Sequence, residues 1–336
     1  MNGKGASMHK SHLFILLILS FHLSFAGTAQ IKVIYGEDNR EDVSEVANPL
    51  YLQLSLSTAG MIKPEDLVEL NNEQYSVAGK SLEEAGICAE ERFSHQKTAA
   101  SCSGFLVDKN KIVTAGHCIR SQADCDRYLW AFDYKVTATS DTEVVLDKKQ
   151  VYKCRKIISQ KLDRDSEADY ALIELDRQVS DRSPLNFRRK GKPQVGESLV
   201  VIGHPSGLPT KIADGAIVRD VNDVFLTANL DTYGGNSGSA VFNATTGMVE
   251  GILVRGETDY IYDDVRDCRV SNVLANDAGD GEEVTLITIV EGLDRVVGKP
   301  PKPPVVVPPK PTEPEEPSQP VRLSWWQRLL RYLFGA

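Results

Sequence analysis

Between residues 33 and 297 the apolar residues come in short runs rich in Val, Ile and aromatic side chains, and this pattern limits the fold more than any other feature. The runs include "GFLVD", "KIVTAG", "YLWAFDY", "TEVVLD", "YALIEL", "SLVVIG", "AIVRDV", "DVFLTANL", "SAVFNA", "VEGILVRG" and "VTLITIV". Turn formers such as "GLPTK", "NATTG" and "DKN" separate them. Short β-branched runs punctuated in this way make strands, and many of them in series make an all-β sandwich or barrel. One stretch, "EEAGICAEER" at 83–92, is expected as a short helix. No self-similar period of roughly 20–50 residues is visible, so a solenoid or propeller is disfavoured.

Of the 336 residues, 41% are hydrophobic and 25% charged, a balance that supports a buried core and disfavours wholesale disorder. The formal charge of −9 argues against a protein that tracks nucleic-acid phosphates, which would ordinarily be basic.

Both ends differ from the middle. Lys4 and Lys10 precede the apolar run Leu13–Leu19, and small residues follow in "SFAGTAQ". This order is that of a secretory signal peptide over 1–29, cleaved after Ala26 or, preferably, Ala29. The alternative is an uncleaved membrane anchor, for which the run falls short of the roughly 20 residues a span needs. Removing 1–29 takes away two lysines and no acids, so the mature charge becomes 36 − 47, or −11. It leaves His95, His117 and His204 as the only histidines. Export to an extracellular, periplasmic or cell-envelope compartment would let Cys88, Cys102, Cys118, Cys125, Cys154 and Cys268 pair as disulfides. Their spacing lacks the paired CxxC blocks of a zinc site, and neither a metal nor a cofactor is expected.

At the other end, 298–320 holds ten of the 16 prolines and is expected to be an extended spacer. In the tail, 321–336, Trp326, Leu329, Leu330 and Leu333 share one helical face, flanked by Arg322, Arg328 and Arg331. Such a basic, aromatic amphipathic helix suits a membrane surface or a docking partner, or packs back on the body. The domain expected between signal and spacer is 30–297.

Three segments in that body carry chemistry. "TAGHC" sets His117 after a strand, "ADYALIEL" sets Asp169 at the start of one, and "YGGNSGSAVF" sets Ser237 in a glycine-rich turn before another. His, Asp, Ser is one of the orders in which a nucleophilic triad occurs. A serine hydroxyl is a weak nucleophile until an imidazole takes its proton, and a buried aspartate fixes the imidazole tautomer. Glycines beside Ser237 let the backbone approach a substrate, making the Gly235 and Ser237 N–H groups candidates for an oxyanion hole. His204, in "VIGHPSGLP", has no adjacent base motif and is read as structural; His95 carries no signal. Ser206 lies outside any GxSxG elbow, and the residue order does not fit an α/β-hydrolase.

"CSGFLV" at 102–107, "TAGHC" at 114–118, "DYALIEL" at 169–175 and "GGNSGSAVF" at 234–242 together resemble the chymotrypsin-fold serine proteases, nearest the bacterial trypsin-like and glutamyl-endopeptidase branch. The resemblance covers roughly 33–295. It implies two orthogonal antiparallel β-barrels with the active site between them, and a secreted endopeptidase acting on protein or peptide substrates. It also implies a disulfide between Cys102 and Cys118. The other four cysteines allow three pairings, of which Cys125 with Cys154 and Cys88 with Cys268 is the preferred one.

The same resemblance places the base of the specificity pocket at Asp231, with Thr232 beside it. A buried carboxylate there would draw an Arg or Lys side chain. The histidine that glutamate-specific relatives carry is replaced by Leu253, and Tyr233 stands where trypsin has a pocket-bracing cysteine. Asn236 replaces the aspartate that pairs with a new N-terminal amine in animal digestive proteases, so that activation switch is not supported. "VIYGEDNR" from Val33 looks like the mature start of glutamyl endopeptidases, and Lys32 precedes it. Trimming between Lys32 and Val33 is therefore expected; N-terminal sequencing that found Gln30 or Gly27 first would refute it. A protease-fold binding protein, docked through its tail, is the competing function.

Overall fold

The computed structural model describes residues 33–296; the signal, spacer and tail expectations fall outside the described residues. Twelve strands form two closed barrels. The first is built from β1 (Thr58–Ile62), β2 (Ala100–Asp108), β3 (Lys111–Thr114), β4 (Leu129–Phe132), β5 (Val151–Leu162) and β6 (Asp169–Leu175). The second uses β7 (Ser198–Gly203), β8 (Lys211–Val221), β9 (Phe225–Ala228), β10 (Ala240–Asn243), β11 (Val249–Arg255) and β12 (Glu282–Leu286).

Every pairing within the barrels is antiparallel. The first closes in the order β1-β4-β5-β6-β3-β2, the second in the order β7-β10-β11-β12-β9-β8. These are the same cyclic path traced twice, although the sequence carries no matching repeat. Closure removes sheet edges and satisfies the backbone donors and acceptors that an open sheet would leave exposed. The short strand Arg40–Asp42 adds to β8 from outside.

The runs that looked uniformly apolar do so because both faces of their strands are buried. Along β7 and β10, Leu199, Val201 and Val241 fill the second barrel with Leu253 and Val284. Val200, Ile202 and Phe242 point the other way and join the cluster containing Phe105, Ile112, Trp130 and Leu172 of the first barrel. Strands buried on both faces lose the polar alternation of a half-exposed strand. Each such side chain contributes about 1.5–3 kcal/mol on full burial.

The expected helix at 83–92 is instead a chain of turns. Gly86 takes φ +88°, which breaks any right-handed run, and the Cys88 N–H donates to the Arg269 carbonyl. Cys88 is bonded to Cys268, so tertiary anchoring overrides helix propensity there. A real helix forms at Gln122–Arg127, started by a capping box between Ser121 and Asp124. Its Cys125 is bonded to Cys154 in β5. Among the described residues, no helix is long and apolar enough to cross a membrane.

Candidate active site

Strand register brings the first two functional side chains together. β6 pairs with β3 so that Ala171 faces Thr114, which carries Asp169 alongside the turn that follows β3. His117 sits in that turn. Its backbone N–H donates to Asp169 Oδ1 at 3.0 Å, and its Nδ1 lies 2.7 Å from Oδ2. Asp169 is 1% exposed. The carboxylate accepts both bonds, so the imidazole holds its proton on Nδ1 and presents Nε2 as the basic nitrogen. The turn is tight enough to need glycine at 116, where a Cβ would fall 2.0 Å from the Lys161 carbonyl oxygen.

Ser237 is delivered by the loop between β9 and β10. Gly235 and Gly238 adopt φ of +91° and +89°, conformations that favour glycine. A Cβ on Gly238 would lie 2.1 Å from the Ser103 carbonyl oxygen, and one on Gly235 would lie 2.5 Å from that of His204. The loop is therefore clamped between the first barrel and the end of β7. Ser103 N–H donates to the Ser237 carbonyl at 2.8 Å, and Ser103 Oγ donates to the Gly235 carbonyl at 2.8 Å. Cys118, adjacent to His117, has its sulfur 3.7 Å from the Ser237 carbonyl oxygen and is bonded to Cys102 in β2. That disulfide holds the histidine turn against the strand that also holds the serine loop. Neutral Asn236 lies buried beneath the loop, its Oδ1 accepting from Ser239 Oγ at 3.1 Å.

Residues 102–252 match the family model of the trypsin-like peptidase domain. The chain carries a trypsin-like peptidase domain. A Bacillus subtilis protein described as an extracellular metalloprotease is 29% identical over 158 residues, covering 45% of this chain. The match spans about half, 49%, of that relative's length. A Glu endopeptidase solved in complex with MPD is 14% identical, with 76% of this chain and 94% of that one covered and a TM-score of 0.44. The Vibrio cholerae VesB protease is also 14% identical, covering 75% of this chain and 64% of the other at a TM-score of 0.43. The Rv3671c protease of M. tuberculosis, in its active form, is 15% identical, with 83% and 95% covered and a TM-score of 0.42.

Within this trypsin-like domain, Asp231 and Thr232 occupy different surroundings. Asp231 turns towards the N-terminal segment: its two oxygens accept the Tyr35 and Asn39 backbone N–H groups, each at 2.8 Å. Burial raises its pKa to about 6, against the opposing pull of those two hydrogen bonds. The same segment is anchored further by Arg40, which is buried, paired with Asp38 at 2.7 Å and stacked over the Tyr233 ring. Thr232 is buried; its N–H donates to the Val33 carbonyl at 3.2 Å, and its Oγ1 donates to Glu282 Oε2 at 2.5 Å.

Glu282 opens β12 and is fully buried. Sequence reasoning passed over it, yet a signal was present. In "GEEVTLITIV", strand alternation places Glu282 on the same face as Val284 and Leu286, both of which fill the second barrel.

The other histidines take no part. His204 is buried, stacked on Tyr134 with centroids 5.3 Å apart, and its Nδ1 lies 3.0 Å from the Leu208 carbonyl. Burial pushes its pKa down to about 4. His95 Nε2 lies 2.8 Å from the Thr139 carbonyl oxygen. Among the described residues, one group has potential metal donors close together: Cys102, His117 and Cys118, within 4.8 Å of one another. Both of its sulfurs are spent in the disulfide, so neither is a thiolate ligand.

Proposed function

We propose that this trypsin-like serine peptidase is a secreted endopeptidase that cleaves after Arg or Lys through an acyl-enzyme. The single observation that carries the catalytic part is the two-point hold of Asp169 on His117, which orients Nε2 as a base in the turn beside the Ser237 loop. Ser237 Oγ attacks the scissile carbonyl as His117 Nε2 takes its proton. Asp169 stabilises the resulting imidazolium without itself becoming protonated. The Gly235 and Ser237 N–H groups receive the developing oxyanion; one such donor typically contributes ~2.7–4 kcal/mol. His117 then returns the proton to the leaving amine, and water admitted in its place hydrolyses the ester by the same base.

Support for a cationic substrate side chain comes from the acidic residues around the serine loop, Glu282 and Asp259. Support for export comes from three disulfides, a pattern of oxidising compartments. The Bacillus relative is described as extracellular and as a metalloprotease. The first word agrees with export. The second finds no fitting donor set here, because the one cluster near the site has its sulfurs joined, and no step is routed through a metal. The division into a signal over 1–29, a peptidase domain over 30–297, a spacer over 298–320 and a surface-docking tail over 321–336 belongs to the same proposal. So does trimming at Lys32–Val33, which is supported by the burial of Val33 against Thr232.

Treatment with a serine-directed fluorophosphonate tests the catalytic assignment. The mature protein should be labelled at Ser237, and Ser237→Ala should abolish both labelling and peptide cleavage. A folded wild-type protein that takes no label would overturn the proposal in favour of a protease-fold binding protein.

A further inference from the structure

We propose that Glu282, rather than Asp231, is the residue that selects the cationic side chain of the substrate; this rests on the peptidase reading above. Asp231 has both carboxylate oxygens committed to backbone N–H groups of Tyr35 and Asn39, which makes it an anchor for the N-terminal segment. Glu282 lies elsewhere. It reaches from β12 between two stretches of chain that run side by side next to Ser237.

The first stretch is 232–235, which leads directly into the nucleophile. The second is 256–259, which leaves β11 after a register irregularity between Leu253 and Arg255. At one end both converge on Glu282. Thr232 Oγ1 donates to Oε2, and the Glu257 N–H donates to Oε1 at 3.2 Å. At the other end they are joined through Asp259, whose Oδ2 accepts the Gly234 N–H at 2.9 Å. A side chain entering beside Ser237 therefore passes Asp259 at the rim and meets Glu282 at the base.

Glycine at 256 is what brings the backbone this close. A Cβ there would lie 2.0 Å from both Glu282 oxygens, so any other residue would displace the carboxylate or fill the space in front of it. The neighbouring cation, Arg255, is not part of this arrangement. Strand alternation turns it to the other face, where it pairs with Glu283 and donates to the Glu167 carbonyl. A buried carboxylate at the base and a second at the rim favour a cation and reject an acidic side chain by like-charge repulsion. The paired oxygens of Glu282 also match the fork of a guanidinium or amidinium group.

The test compares wild type, Glu282→Gln, Glu282→Asp and Asp231→Asn. Peptides identical except for Arg, Lys, Glu or Ala before the scissile bond give kcat/KM, and benzamidine binding by calorimetry reports the pocket without any chemistry. Fluorophosphonate labelling and the melting temperature report Ser237 reactivity and folding. Wild type should prefer Arg and Lys and bind benzamidine. Glu282→Gln should lose about 100-fold or more on Arg and Lys, the scale of removing one member of a buried charge pair, while Ala changes by less than about threefold. It should also lose benzamidine. Asp231→Asn should keep the Arg-to-Ala ratio even if it melts earlier. Glu282→Asp, which keeps the charge, should retain cation preference with an altered Lys-to-Arg ratio, and it decides the matter if Glu282→Gln does not fold.

An unchanged Arg-to-Ala ratio in Glu282→Gln that still labels would overturn the assignment. So would a wild-type preference for Glu, or a ratio that collapses in Asp231→Asn alone. Absence of labelling in folded wild type would sink the peptidase reading instead. Benzamidine binding would then still judge Glu282: lost only in Glu282→Gln it supports the assignment, and absent from wild type it refutes it.

Discussion

Asp169→Asn probes the site at its most constrained point. The native carboxylate satisfies two donors at once, the His117 backbone N–H at 3.0 Å and Nδ1–H at 2.7 Å. An asparagine has one acceptor oxygen. The backbone N–H is an obligatory donor with no alternative state, whereas the imidazole can change tautomer. The amide oxygen should therefore serve the backbone, turning its NH2 towards Nδ1. That forces Nδ1 to accept and moves the ring proton to Nε2, where it blocks proton transfer from Ser237. A wrong-tautomer histidine of this kind costs about 10⁴ in kcat, equivalent to about 5.4 kcal/mol at 1.36 kcal/mol per tenfold. Stability should change little, because losing hydrogen bonds to a charged group is offset by no longer burying that charge. The assay is kcat on an Arg-containing peptide, with melting temperature measured alongside. A variant that kept more than about a tenth of wild-type kcat at an unchanged melting temperature would refute the tautomer argument.

Two further outcomes follow from the packing around the site. Replacing Cys102 and Cys118 together with Ala removes a cross-link between residues 16 apart. It should destabilise the fold by about 3 kcal/mol and lower the melting temperature by roughly 6–12 °C; a drop of less than about 2 °C would show that the loop is held by other contacts. His204 is held down to about 4 by burial, against an unfolded value of about 6.5. The folded state therefore binds fewer protons between those limits. The stability from keeping it neutral is complete above about pH 6.5 and lost as pH falls through about 4, on the order of 3 kcal/mol. Asp231, raised to about 6, acts with the opposite sign in the same range, so the comparison must be between variants. Denaturant unfolding at pH 7 and pH 4.5 should show His204→Phe, which keeps a ring against Tyr134, losing less stability on acidification than wild type. Equal losses would contradict the assignment of that titration to His204.

Much of this molecule was legible residue by residue. The runs that read as strands are strands, because side-chain alternation and β-branched composition act within a few residues of each other. The histidine, aspartate and serine segments stood out because each lies beside such a run. The turns at 83–92 were misread as helix because the bond from Cys88 to Cys268 spans 180 residues, and local propensity carries no information about it. Asp231 and Glu282 show the same division. Both are acidic residues next to apolar segments. One accepts an N–H from Tyr35, 196 residues away, and the other a hydroxyl from Thr232, 50 residues away.

The sequence by itself determined the period of the strands, the residue types available for chemistry and their order along the chain. The tertiary structure decided how the strands close into two barrels of the same path, which carboxylate meets His117, and which one lies beneath the serine loop. The physical reason is range. Backbone geometry sets alternation locally, whereas a contact between distant residues exists only once register and closure have placed two strands side by side.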